Sequence, residues 1–166
     1  GLPTSDGAIQ ANYEGAGGVN GVINKFSPDG SEQIYATYLG KDGTFPHSAS
    51  ANLFGELIVF GTTTDTDFPV TAGAFQQESA GGTDIFVSRL SEDGTALIGS
   101  TYLGGSAQDG TNPVFAFGYD ALRGEISLDG NGDIYLASAS NSDDFPMAGN
   151  GYSQTLNGNS DGIGAK

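Results

Sequence analysis

The chain lacks cysteine and tryptophan and has a single histidine, His47. Without cysteine it has no disulfide, no zinc thiolate and no thiol nucleophile. No apolar run approaches the roughly 18 residues of a membrane helix, so the sequence does not predict membrane insertion. A serine–histidine catalytic pair would need His47, and no G-x-S-x-G motif accompanies it. His47 follows Phe45-Pro46, where the proline suggests a loop, so we interpret His47 as a loop residue.

Basic residues are scarce: 5 lysines and arginines stand against 20 acidic residues, giving a net charge of −15. Nucleic acid is not an expected partner, because phosphate binding needs clustered lysine and arginine. An anionic membrane surface is excluded for the same reason. The negative charge favours solubility and attracts divalent cations.

Glycine is abundant, with 28 of 166 residues, and this favours tight turns over long helices. No stretch has a sustained helical apolar period. Segments rich in β-branched, aromatic and other apolar residues, bounded by turn residues, predict strands at 84–91, 96–103, 125–129 and 133–140. Asp93-Gly94 and Asn131-Gly132 are hairpin signals between these strands. The sequence predicts an all-β fold.

Internal repeats divide the sequence into copies at 1–67 and 68–144 and a partial copy at 145–166. Residues 26–31 and 36–40 match residues 64 positions later, and residues 55–60 match residues 77 positions later. Four antiparallel strands in a repeat of roughly 65–75 residues are typical of a β-propeller blade. We expect a little over two such blades here.

A closed propeller needs roughly four to eight blades. We therefore expect residues 1–166 to be a fragment of one β-propeller domain in a longer protein. The expected partners of this fragment are the other blades of that protein. Phe68-Pro69 and Phe145-Pro146 occupy the same place in two copies. Both fall in a loop after the second strand of a blade, where proline is tolerated. We predict that Phe68 and Phe145 are buried between blades.

Several of these motifs resemble the bacterial β-propeller repeat called SBBP, namely the segments 81–87, 93–94, 100–105 and 142–146. Residues 119–126 resemble a longer variant found in gliding-associated, type IX-secreted proteins of Bacteroidetes. The resemblance covers nearly the whole chain. It implies a large exported surface protein with a structural and adhesive role, and it supplies no catalytic residues.

The expected function is a non-enzymatic propeller segment of a secreted or cell-surface protein, acting in surface attachment or gliding motility. One alternative is a glycan-binding module of a secreted degradative system, and another is a propeller-fold hydrolase. Paired carboxylates such as Glu92 with Asp93 are the residues a glycosidase would need. They fall in turns, where aspartate is favoured by local backbone hydrogen bonds.

Calcium is the one metal that the sequence brings into consideration. Asp129, Asn131 and Asp133 place oxygen ligands at positions 1, 3 and 5 of a loop, as in calcium-binding loops. Ile134 and Ser140 stand where an EF-hand needs glycine and glutamate. We therefore interpret this segment as a hairpin turn and expect no cofactor.

The second copy contains an insertion around residues 112–123, and insertions of this kind map to loops that often bind partners. Tyr119 and Arg123 are its candidates for surface binding, with a surface glycan or a protein as the partner. The other tyrosines considered lie in predicted strands and are interpreted as packing residues: Tyr35, Tyr38, Tyr102 and Tyr135.

Overall fold

The computed structural model describes residues 2–111, 124–147, 149, 151–153 and 155–166, and within them the chain is all-β, with no helix. The all-β prediction is confirmed. The nine strands of the described residues are β1 Gly21–Phe26, β2 Gln33–Leu39, β3 Thr44–Ala51, β4 Leu57–Thr63, β5 Asp84–Leu90, β6 Leu97–Leu103, β7 Gly124–Leu128, β8 Ile134–Ser140 and β9 Asp161–Ala165.

The strands form three antiparallel sheets in chain order. The first sheet is β1–β2, the middle sheet is β3–β4–β5–β6, and the third sheet is β7–β8–β9. The predicted hairpin of β5 and β6 about Asp93-Gly94 is confirmed. Gly94 has a φ of 70°, a conformation that glycine adopts without steric cost.

The middle sheet takes two strands from each of two sequence copies. β3 and β4 precede the copy boundary at residue 67, and β5 and β6 follow it. The repeat offsets relate β1 and β2 to β5 and β6, and relate β7, β8 and β9 to β3, β4 and β5. The first sheet thus has the last two strands of a common four-strand pattern, and the third sheet has the first three. No sheet in the described residues is closed.

The two faces of the middle sheet contact different neighbours, because successive side chains of a strand point to opposite faces. Val59 of β4 packs in a cluster with Ile23 and Leu39 of the first sheet. Phe60, the next residue, packs in a second cluster with Leu136 of the third sheet. The described sheets are therefore layered face to face, with the middle sheet buried on both sides.

The predicted burial of Phe68 is confirmed, and the side chain lies between the first and middle sheets. Its ring centroid lies 4.5 Å from that of Phe86 and 5.8 Å from that of Tyr102. The prediction is wrong for Phe145, which is only half-buried. No described strand lies beyond β9 to supply the counterpart of Tyr102.

The outer edge of the middle sheet is covered by the segment that precedes β5. The backbone N–H of Thr71 donates to the carbonyl of Ser100 in β6, at 3.0 Å. Two residues further along β6, the N–H of Tyr102 donates to the carbonyl of Gln76, at 3.1 Å. The Gln76 N–H in turn donates to the hydroxyl of Thr101, at 3.0 Å. The irregular segment therefore satisfies the outward-facing backbone groups of Ser100 and Tyr102 on the edge strand.

The first copy repeats this edge cover. The N–H of Ser5 donates to the carbonyl of Ala36, and the N–H of Tyr38 donates to the carbonyl of Gln10, both at 3.0 Å. The Gln10 N–H donates to the hydroxyl of Thr37, again at 3.0 Å. This shared hydrogen-bond pattern gives a physical reason why residues 2–10 and 36–40 both recur in the second copy.

Candidate functional site

The calcium candidates Asp129, Asn131 and Asp133 lie together in the hairpin between β7 and β8. Asp129 Oδ1 accepts hydrogen bonds from the N–H groups of Asn131, at 2.9 Å, and Asp133, at 3.0 Å. Its Oδ2 accepts one from the Tyr135 hydroxyl, at 3.2 Å. Burial opposes ionisation of Asp129, but these hydrogen bonds outweigh it and hold its pKa below the ordinary value. The carboxylate stabilises the turn.

The remaining acid of the hairpin is also paired. The Asp133 carboxylate lies 2.8 Å from the ammonium group of Lys166. In the first copy, Glu56 stands at the position of Asp133 and forms an ion pair with Arg89, the counterpart of Lys166. Each ion pair therefore spans a copy boundary and joins the start of the second strand of the four-strand pattern to the end of the third.

The equivalent turn of the first copy works without a carboxylate at its first position. Asn52 Oδ1 accepts hydrogen bonds from the N–H groups of Phe54, at 2.9 Å, and Glu56, at 3.1 Å. An amide oxygen thus replaces the Asp129 oxygen in the same role. Because the same hydrogen bonds form with an amide in place of the carboxylate, the role of Asp129 is to form the turn.

The two Asp-Gly turns at residues 27–31 and 91–95 also use their acids locally. Asp93 Oδ1 accepts hydrogen bonds from the hydroxyls of Ser91, at 2.6 Å, and Thr95, at 2.8 Å. The Ser91 and Thr95 hydrogen bonds hold the pKa of Asp93 below its ordinary value. Asp29 makes the same contacts, and the Ser27 hydrogen bond contributes most to lowering its pKa to about 2.

His47 lies in β3, so its interpretation as a loop residue is wrong. The strand has a register irregularity between Pro46 and Ser48, which accommodates the proline within an edge strand. The imidazole Nε2 lies 2.8 Å from the Thr62 hydroxyl, and the ring packs edge-on against Phe60. Burial lowers the pKa of His47 and favours the neutral ring.

The surface candidates Tyr119 and Arg123 lie outside the described residues, as does the whole segment 112–123. Of the tyrosines interpreted as packing residues, three are buried: Tyr35, Tyr38 and Tyr102. The interpretation is wrong for Tyr135, which is 41 % exposed on the outer face of the third sheet. Its hydroxyl and ring contact Asp129 and Lys166, so it braces the hairpin from outside.

A buried carboxylate pair, Asp84 and Asp109, is the polar feature that sequence reasoning missed. Both residues have 0 % exposure. Asp84 begins β5, and Asp109 lies in the loop after β6, where it bridges to Ser140 at the end of β8. The pair marks the junction of the middle and third sheets. The sequence signal for this junction was the Gly104-Gly105 dipeptide, because consecutive glycines permit close approach of neighbouring groups.

Among the residues that the structure describes, no three histidine or acidic side chains are grouped so as to hold a metal ion. In the same part of the chain, no helix is long and apolar enough to cross a membrane. Comparison with protein-family models found no match. Comparison with curated proteins also found none.

Proposed function

We propose that the chain is part of a β-propeller in a larger exported protein: the second half of one blade, a complete blade, and three strands of the next. The common four-strand pattern and the face-to-face layering of the sheets support this assignment. Propeller blades are four-stranded antiparallel sheets that pack against their neighbours around an axis.

The proposed role is structural and adhesive rather than catalytic. The observation that carries this role is the use of acidic side chains in turns, in the same way in successive copies. Asp29 and Asp93 are held by hydroxyl and N–H groups of their own turns, and Asp129 by N–H groups of its turn. A general acid–base pair needs carboxylates that face a common substrate position. Carboxylates engaged in separate turns do not supply one.

The proposed contact surface includes the tip of the hairpin between β3 and β4. Leu53 is 95 % exposed and Phe54 is 77 % exposed. The equivalent positions of the second copy are Gly130 and Asn131, so the apolar tip belongs to one blade. An exposed apolar pair on a rigid hairpin is suited to contact with a partner surface, and the hairpin itself does not require these side chains.

Adhesion of intact cells to surfaces coated with the purified chain tests this proposal. We expect the wild-type chain to retain cells and the double variant Leu53→Ser/Phe54→Ser to retain fewer. Phe75→Ser removes an aromatic side chain that is 63 % exposed outside the hairpin and serves as the matched control. Absence of retention by the wild-type chain, or an equal loss in the control, would contradict the proposed role.

A glycan array and a panel of chromogenic glycosides distinguish the class of partner. Saturable binding to one glycan class without turnover identifies that glycan as the adhesive partner. Retention of cells with no glycan binding directs the search to a surface protein. Hydrolysis of any substrate in the panel would overturn the non-enzymatic assignment.

A further inference from the structure

The two buried carboxylates at the junction of the middle and third sheets face each other across Gly104. A Cβ atom at this glycine would collide with Asp84 Oδ1 and would lie 2.9 Å from Asp109 Oδ2. The two acids are therefore close neighbours in a site with no exposure to solvent. Two ionised carboxylates in such a site repel each other and lose their hydration, so one of them is favoured as the neutral acid.

Asp109 has the partners that an ionised carboxylate needs. Its Oδ1 accepts a hydrogen bond from the Ser140 hydroxyl, at 2.5 Å. Its Oδ2 accepts hydrogen bonds from the Gly105 N–H, at 2.7 Å, and the Ser142 hydroxyl, at 2.9 Å. Three donors thus satisfy both oxygens of this buried carboxylate.

Asp84 is satisfied on one oxygen only. Its Oδ2 accepts hydrogen bonds from the Ser79 hydroxyl, at 2.7 Å, and the Ala80 N–H, at 3.1 Å. Its Oδ1 is buried and has no hydrogen-bond partner among the described residues. An ionised oxygen without a donor is costly in a buried site, whereas a protonated oxygen is itself a donor.

Among the residues that the structure describes, the groups around Asp84 bring no compensating positive charge. The titratable groups of this part of the chain that interact with Asp84 are Asp109, from the loop after β6, and Tyr102, from β6 itself. β4 and β8 bring Thr63 and Ser140 to this junction, and neither of them titrates. No ion pair within the described residues includes either acid. Burial raises the pKa of Asp84, and the charge of Asp109 adds to the effect.

The first copy has a neutral donor at the position of Asp84. Asn20 is the counterpart of Asp84 at the 64-residue offset. The amide nitrogen of Asn20 donates hydrogen bonds to the carbonyls of Glu14, at 2.9 Å, and Gly40, at 3.2 Å. Gly40 is the counterpart of Gly104. An aspartate is a donor only when it carries its proton.

We propose that Asp84 carries a proton in the folded protein, and that loss of this proton as the pH rises loosens residues 104–111, the described part of the loop after β6. That loop is held by the Asp109 N–H on the Thr83 carbonyl, at 2.7 Å, and the Gly110 N–H on the Ala139 carbonyl, at 2.8 Å. An acid whose pKa is higher in the folded than in the unfolded protein stabilises the fold fully at pH values below its unfolded pKa of about 4. That contribution is lost as the pH rises through the raised value.

Thermal unfolding of the wild type and of Asp84→Asn from about pH 4 to pH 8 tests the proposal. We expect Asp84→Asn to gain in Tm over the wild type as the pH rises, with the difference widening by about 3 °C or more. Asn20→Asp, the reverse exchange in the first copy, should lose Tm over the same range. Asp109→Asn should lose stability throughout, because it disturbs a carboxylate with three donors.

A difference between wild type and Asp84→Asn that stays constant with pH would overturn the proposal. Stabilisation of the wild type by calcium chloride that is absent in Asp84→Asn would also overturn it, with a cation in place of the proton. The carbon-13 signal of the Asp84 carboxyl reads protonation directly in the unmodified chain, so a variant that fails to fold leaves the test intact. A midpoint at the ordinary aspartate value of about 3.9 would refute the proposal.

Discussion

Replacing Phe68 by alanine removes a ring that is 3 % exposed and packs between the first and middle sheets. The ring contacts Phe86 of β5 and Tyr102 of β6, with centroids 4.5 and 5.8 Å away. Because these neighbours belong to paired strands of one sheet, they cannot close the cavity without disturbing the ladder. The backbone N–H of Phe68 donates to the Tyr102 hydroxyl at 2.8 Å and remains in the variant, so the effect reports packing.

The expected cost is about 3–5 kcal/mol, which is typical of truncating a buried aromatic side chain. Loss of the edge-to-face contact with Tyr102 is part of this figure, since an aromatic pair contributes about 0.5–1.5 kcal/mol beyond its buried area. Domains are commonly stable by about 5–15 kcal/mol. The substitution should therefore remove a fifth or more of the stability and shift the unfolding midpoint clearly.

Urea denaturation followed by circular dichroism measures this loss, because the chain has no tryptophan for fluorescence. Phe75→Ala is the matched control: it alters the same segment, its side chain is 63 % exposed, and a change within about 0.5 kcal/mol is expected. Phe145→Ala should cost less than Phe68→Ala, because Phe145 is half-buried. A loss below about 1 kcal/mol for Phe68→Ala with an unchanged m-value would refute the packing argument.

Four further substitutions or titrations follow from the geometry of the described residues. Tyr102→Phe should cost about 1–3 kcal/mol in urea unfolding, because the Phe68 N–H and the Asp65 carbonyl lose their buried partner. Burial raises the pKa of Tyr102 to about 12, so ultraviolet titration should show one late tyrosine, and its contribution to stability should be lost as the pH rises through that value. Calorimetry with calcium should show no saturable site; one site lost in Asp129→Ala would contradict the turn interpretation. Gly82→Ala should lower Tm, because φ is +56° and the new Cβ would collide with the carbonyl of residue 107.

Strand positions were predictable because local chemistry determines them. The segments 84–91 and 96–103 were predicted from β-rich runs around an Asp-Gly turn, and the observed strands differ by one residue at an end. β3 was not predicted, because Pro46 suggested a loop. An edge strand tolerates proline when its unpaired side faces away from the ladder, and a register irregularity absorbs the misfit.

The carboxylate pair was not predictable from spacing. Asp84 and Asp109 are separated by the whole of β5 and β6 and meet only through the return of the loop after β6. By contrast, the Asp129 turn could be interpreted locally, since its hydrogen bonds join residues at most six positions apart. Non-local contacts of this kind depend on the topology of the sheets, which single-sequence patterns do not specify.

The copy boundary that cuts the middle sheet in two bears on how such an array gains or loses members. Each full copy contributes the last two strands of one sheet and the first two strands of the next, so every copy spans the contact between successive sheets. An in-frame duplication of one copy would therefore insert one sheet and recreate the same strand pairings on either side of it. Recombination between copies therefore preserves the strand pairings, and the number of sheets can change while the contacts between sheets stay of the same kind.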